Sequence, residues 1–364
     1  MSAHFPRLAT LLVLSGAGGC GADPQQHEIT APGELLTDDG RLREPGWSPR
    51  QLLHWNGARV HDPSQLRQWD FFSILSDDSA VNLTLLDLGF LQVATVSVVD
   101  LATAEMIQTM QIGGAYDTLR FSEAVEGSAS LSATDTSATY LAFTTDGDST
   151  EIEIDIPESL FGDAARGTLI IHRRPEMPYL SVATPFDEDP HLFFYEQKLQ
   201  GMSAEGSLTI GVRTFTFAAD ATSAVMDWGR GAWPKTATWR WAGASGVVAG
   251  VPVALNLGEG FGNARAGSEN LVVYGDVAHK LATVAWSYDP DHPTEDWRFE
   301  APDGRLSLVL HPVAPEVGGI ELGTLFSRLH KAYGTMSGTI VLDDGRTIEI
   351  TGLRGFAEQM DLSW

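Results

Sequence analysis

Cysteine is nearly absent: Cys20 is the only one in 364 residues, so no intramolecular disulfide can staple the fold. Positive charge is sparse too, with 23 Lys and Arg against 48 Asp and Glu and a formal charge of −25. A surface of that sign repels a phosphate backbone, and no basic cluster offsets it, so nucleic acid is not an expected partner. The acidity itself reads as solubility and solvated strand faces. Metal-ligand patterns are missing, since the ten histidines are scattered without HExxH or related spacing. No GxSxG elbow is present, and the glycines of GEGFGNARAG (258–267) satisfy neither GxGxxG nor a P-loop. Neither a metal nor an organic cofactor is expected.

Long apolar runs are missing as well. The clearest, LATLLVL at 8–14, is too short to span a bilayer as a helix. With Arg7 before it and SGAGG after it, residues 1–19 read as an export signal ending at Cys20. Lipid on that thiol would anchor the chain to the bacterial cell envelope, periplasm-facing and on the outer rather than the inner membrane. A plain secretory signal and a misplaced start are the other readings. Residues 20–45 are polar and turn-rich and read as a flexible tether.

What is present from Trp55 onward is period-two alternation cut by Gly, Asp and Pro. EIEIDI (151–156) puts three isoleucines on one side and three carboxylates on the other. GSLTIGVRTFTF and GTIVLDDGRTIEI read as hairpins. Leu322, Leu325, Phe326, Leu329 and Tyr333 have helical spacing, which fits a short helix or a strand with a misleading pattern. An internal echo is more informative. Trp69 leads to Asp87-Leu88-Gly89, and Trp239 leads to Asn256-Leu257-Gly258, each followed by a valine-rich strand ending in Asp. Unless this is chance similarity of short β motifs, the chain is a tandem duplication. The expected class is all-β, two antiparallel barrel-like halves at 46–200 and 201–364, since closure or stacking manages strand edges.

The densest chemistry is DWGRGAWP at 227–234, followed by Trp239 and Trp241, so four of the ten tryptophans fall within fourteen residues. Such density means either a packed barrel floor or a lined pocket. Arg230 is placed to stack on an indole or pair with Asp227, and Asp227 to lie in a partly dry aromatic cavity.

DWGRGAWP, NLGEG, Ser268-Glu269-Asn270, HKAYGTMSG (330–338), QWDFF, LLDLGF and FFYEQK (193–198) resemble a bacterial family, domain of unknown function 2804, over about residues 45–364. That family is distantly similar to the lipocalin-like (calycin-type) superfamily of carotenoid 1,2-hydratases and tocopherol cyclases. The resemblance implies two tandem barrels and a hydrophobic, lipid-like or isoprenoid small molecule. It admits a binding lipoprotein with a barrel pocket, a cofactor-free hydratase, cyclase or isomerase, or a purely structural envelope protein. In the enzyme reading Asp227 is the acid and Glu269 a second acid or base. Trp228, Trp233, Trp239 and Trp241 would then be ligand walls, Arg230 the group orienting the carboxyl, and Asn270 and Lys198 contacts for a polar ligand end. The first half is expected to be scaffold, with any site in the second half or the seam. Oligomeric state is left open.

Overall fold

Alternation in the sequence becomes alternation in burial: Ile152, Ile154 and Ile156 are buried, while Glu151, Glu153 and Asp155 face solvent. In the computed structural model, residues 26–113, 119–132, 140–292, 294–323 and 325–363 are described. Cys20 and the expected signal at 1–19 lie outside them. No helix among the described residues is long and apolar enough to cross a membrane.

Three short strands open the chain, β1 (Gly33–Glu34), β2 (Gly46–Ser48) and β3 (Leu53–His54). Then come β4 (Leu66–Leu75), β5 (Ser79–Asp87), β6 (Gln92–Asp100), β7 (Met106–Gly113), β8 (Ala129–Ser132) and β9 (Tyr140–Asp146). They are followed by β10 (Ser149–Ile156), β11 (Ala165–His172), β12 (Leu180–Pro185), β13 (Phe193–Ile210), β14 (Arg213–Phe217) and β15 (Ser223–Ala232). The rest is β16 (Thr236–Val248), β17 (Val251–Glu259), β18 (Leu271–Tyr274), β19 (Val277–Lys280) and β20 (Ala285–Ser287). It ends with β21 (Trp297–Glu300), β22 (Leu306–Leu322), β23 (Leu325–Val341) and β24 (Thr347–Ser363).

The chain is all-β, with two large antiparallel sheets consistent with two tandem barrel halves. The first has the order β7-β6-β5-β4-β15-β13-β11-β10-β9-β8, with β12 and β14 attached beside β13 and β2 beside β12. The second runs β19-β18-β17-β16-β24-β23-β22-β21-β20. In both, a four-strand meander (β4 to β7, β16 to β19) occurs, and its first strand pairs with the last strand of the half, β4 with β15 and β16 with β24. The Trp69 and Trp239 echoes fall on these equivalent first strands.

That symmetry moves the division. The halves part between Ala232 and Thr236, not at 200/201, and DWGRGA lies in the first sheet. Pro234 lacks an N–H for the ladder and stands where the chain changes sheets. Residues 26–45 are no loose tether: Ile29, Leu35 and Leu36 are buried in the first core, and Ile29 N–H donates to the Trp47 carbonyl. The helically spaced stretch around Leu329 is β23, paired along its length with β22 and β24. Tertiary pairing overrides a local pattern there.

Each half encloses its own apolar core. Phe72, Leu83, Ile152, Tyr195 and Trp228 belong to the first, and Leu255, Trp297, Phe299, Leu308 and Ala357 to the second. The opposite faces of β4, β13 and β15 pack against β16, β17, β23 and β24. Two smaller apolar clusters join them. One is Leu75, Ala80, Val225, Trp241, Tyr333 and Phe356, and the other Trp47, Leu180, Val182, Ala254, Leu271 and Val273. Between these clusters the seam is polar.

A buried charged cluster at the seam

Strand parity sorts the DWGRGAWP block. On β15, Trp228, Arg230 and Ala232 point into the first core, whereas Asp227, Gly229 and Gly231 face the seam. Trp228 packs edge-on to Tyr195 at 5.6 Å, and the Arg230 guanidinium stacks 3.9 Å from its ring. Arg230 is fully buried and pairs with Asp70 at 2.8 Å, also donating to the Trp69, Gly229 and Ser122 carbonyls. The stacking expectation is met, but the pairing with Asp227 is not, because the two side chains leave opposite faces of one strand. Trp228 and Arg230 therefore tie the first barrel together and do not orient the Asp227 carboxyl.

On the seam face, Asp227 stands between Lys198 of β13 and Phe71 of β4 in the ladder. One step along, Gly229 stands between Glu196 and Trp69. A Cβ on Gly229 would lie 2.0 Å from the Trp69 ring, so glycine is what lets that indole cover the strand. The Lys198 ammonium contacts Glu196 Oε1 at 2.5 Å and Asp227 Oδ2 at 2.6 Å, with Glu269 Oε2 at 3.9 Å. It lies 3.8 Å from the centre of the Trp241 ring. Lys198, Asp227, Glu269 and Trp241 are thus brought together from both halves. Glu196 completes the group and was missed. Its signal lay in FFYEQK, where it shares strand parity with Lys198.

Glu269 reaches the cluster because Gly258 carries no side chain, a Cβ there falling 2.5 Å from Glu269 Cβ. Asn256 holds the neighbourhood: it accepts from Trp241 Nε1 at 2.7 Å and donates to the Glu269 carbonyl at 2.7 Å. Asn270 accepts from Gly258 N–H and donates to the Ala282 carbonyl, which fixes the backbone beside Glu269. On the other side of Trp241, Lys331 pairs with Glu358 at 3.0 Å and lies 4.6 Å from the Phe356 ring. Tyr333 donates to Glu316 at 2.6 Å and accepts from Asn82 at 2.8 Å.

Charge counting decides the protonation. Three carboxylates around one ammonium, all ionised, would leave two uncompensated negative charges in a site almost without water contact. Burial and the adjoining carboxylates of Asp227 and Glu269 push Glu196 well above the usual carboxylate range. Burial also raises Glu269, although Lys198 works against it. Burial disfavours the Lys198 ammonium, but Asp227, Glu196 and Glu269 outweigh that and hold it above the ordinary lysine value. Glu196 Oε2 and Asp227 Oδ1 meet no N–H or hydroxyl donor among the described residues. A proton on Glu196 would give it a donor toward the adjoining Asp227 and Glu269 carboxyls. The cluster therefore sets two carboxyl groups that burial favours in their protonated form beside a lysine that its neighbours hold as ammonium.

Aromatic rings border it. Trp69 stacks on Phe194 at 5.8 Å and meets Trp233 edge-on at 5.2 Å. Phe261 meets Trp233 at 5.3 Å and Trp239 at 5.2 Å. A separate open groove of about 750 Å³ runs past Trp47, Arg50, Lys280 and Arg305 and includes none of the charged cluster.

No curated protein matches the sequence. The fold resembles that of CghA, with a TM-score of 0.54 at 12% identity over 90% of this chain and 97% of that one. The structure of CghA with Sch210972 gives 0.51 at 11% identity, with the same shares covered. Kievitone hydratase from Nectria haematococca covers 91% of this chain and 98% of its own at 12% identity, with a TM-score of 0.45. Residues 26–364 match the family described as Domain of unknown function (DUF2804), and the chain belongs to that family.

Proposed function

We propose that the protein is a cofactor-free acid–base enzyme of the hydratase, cyclase or isomerase type, working on a hydrophobic unsaturated molecule held at the seam. The observation that carries this is Glu196, Asp227 and Glu269 converging on Lys198 beneath Trp241. The lipocalin-like fold supports it. Packed cores in both halves argue for a ligand between the barrels and against one inside either.

In this reading the Glu196 carboxyl gives its proton to an alkene carbon, so an O–H bond breaks as a C–H bond forms. The cation on the adjacent carbon is stabilised by the negative charge of the cluster. Water, or an oxygen of the substrate, then adds to the cation and yields its proton to Asp227. Loss of a neighbouring C–H proton would instead give an isomer. The proton returns to Glu196 through the contact between the carboxyls, and no net charge accumulates.

The test uses molecules extracted from the purified protein, with farnesol as a defined probe, incubated in D2O. Wild type should place deuterium on carbon, and Glu196→Gln should lower that rate by about 10²–10⁴-fold while the fold survives. Binding with no deuterium transfer by wild type would replace the enzyme with a carrier of the same ligand. We also propose a lipid anchor on Cys20 facing the periplasm, supported by the signal-like segment before it.

A further inference from the structure

Residues 260–267 of the Gly-rich connection between β17 and β18 take no part in the acid–base cluster that Gly258 and Glu269 serve, yet they cross the seam. Leaving β17 in the second half, the connection reaches onto the first. Asn263 N–H donates to the Pro185 carbonyl at 2.8 Å, Asn263 Nδ2 to Asp187 at 2.7 Å, and the Thr184 hydroxyl to the Gly267 carbonyl at 2.9 Å. At its tip Phe261 stands between two left-handed glycines, Gly260 at φ +92° and Gly262 at φ +72°. A Cβ on either would run into Thr238 O at 2.8 Å or Thr184 Cγ2 at 2.4 Å.

The Phe261 ring is enclosed by aromatic edges and faces from both halves. It lies 4.5 Å from Phe194, 5.4 Å from Phe186, 5.3 Å from Trp233 and 5.2 Å from Trp239, and three of the four contacts are steeply tilted at 70–88°. Aromatic side chains accept an unsaturated hydrocarbon group in such a box as readily as a phenyl ring. Phe194 and Glu196 share the seam face of β13 two residues apart, so the box is about 7 Å from the acid along the strand. Phe261 itself is only half-buried, and the hydrogen bond from Asn263 to Asp187 is exposed.

We infer that Phe261 is a plug occupying an apolar ligand subsite, carried on a strap with glycine hinges, and that ligand entry displaces it. This rests on the acid–base reading and narrows its substrate. The ligand has an apolar, unsaturated end group that takes the place of the phenyl ring, and its reacting double bond lies about 7 Å further in, beside Glu196. Apparent affinity in the free protein is reduced by the fraction of time the plug is seated, so removing the ring should tighten binding.

Farnesol titration, followed by the fluorescence of the surrounding tryptophans, tests this with three variants. Phe261→Ala should bind about tenfold more tightly than wild type, and Phe261→Trp more weakly, because a larger ring competes harder. Val212→Ala, at an exposed turn away from the seam, should bind as wild type does. Unfolding curves establish that each variant is folded, and Phe261→Leu replaces Phe261→Ala if that variant is not. Equal or weaker binding by the folded small-residue variant would overturn the plug. Tighter binding with no deuterium transfer by wild type would keep the plug and remove the acid–base reading.

Discussion

At the residue scale, the seam and the first core use charge in two different ways. The Arg230–Asp70 pair, under Trp228, is closed on itself and structural. Asp70→Ala should leave a buried guanidinium without its counterion and cost about 3–5 kcal/mol in chemical denaturation. A change below 1 kcal/mol would show the pair to be solvated. Glu196 and Glu269, like Asp70, have folded-state pKa values raised by burial. Below their unfolded values both states are protonated and the native state has the full benefit. As pH rises toward the folded values the unfolded chain ionises first, and stability falls. The urea midpoint of wild type should therefore decline between mildly acidic and neutral pH, and Glu196→Gln should decline less. Sequence alone brought Lys198, Asp227, Glu269 and Trp241 forward, and they do meet. Of the two partners it offered Arg230, the indole is the one found and Asp227 is not, because two residues three apart on a strand face opposite ways.

At the element scale, glycines decide what can approach the site. Gly229 gives its side-chain space to Trp69, so Gly229→Ala should overpack the seam and cost about 1–3 kcal/mol, with a shift in tryptophan fluorescence. An unchanged spectrum and stability would mean that the ring has room to move. Strand alternation was legible wherever one face was buried and the other wet, as in β10. It was weaker where both faces are covered. In β5, Asn82 is buried and donates to Tyr333, so polarity there does not mark a solvent face. The stretch around Leu329 misled for a related reason, since ladder bonds to β22 and β24 settle its conformation whatever its spacing.

At the scale of the whole molecule, the charged cluster lies where the two sheets meet. Each half joins its two strand runs into one sheet, through β4 with β15 and β16 with β24, fills its own core, and packs its outer face against the other half. The Trp-to-Gly echo foretold two halves. It could not locate their division, because β13, β14 and β15 run past residue 200 and still belong to the first sheet. The anchor is separable from all of this. A fatty-acid analogue should label wild type and spare Cys20→Ala, and equal labelling would remove the lipoprotein proposal.

The central claim is that Glu196 holds a proton at neutral pH beside the Lys198 ammonium. Infrared spectroscopy of protein carrying ¹³C-labelled glutamate tests it directly, since a protonated carboxyl has a carbonyl stretch separate from that of a carboxylate. The account predicts a label-sensitive protonated band at neutral pH that weakens in Glu196→Gln. Complete absence of that band in wild type would contradict it.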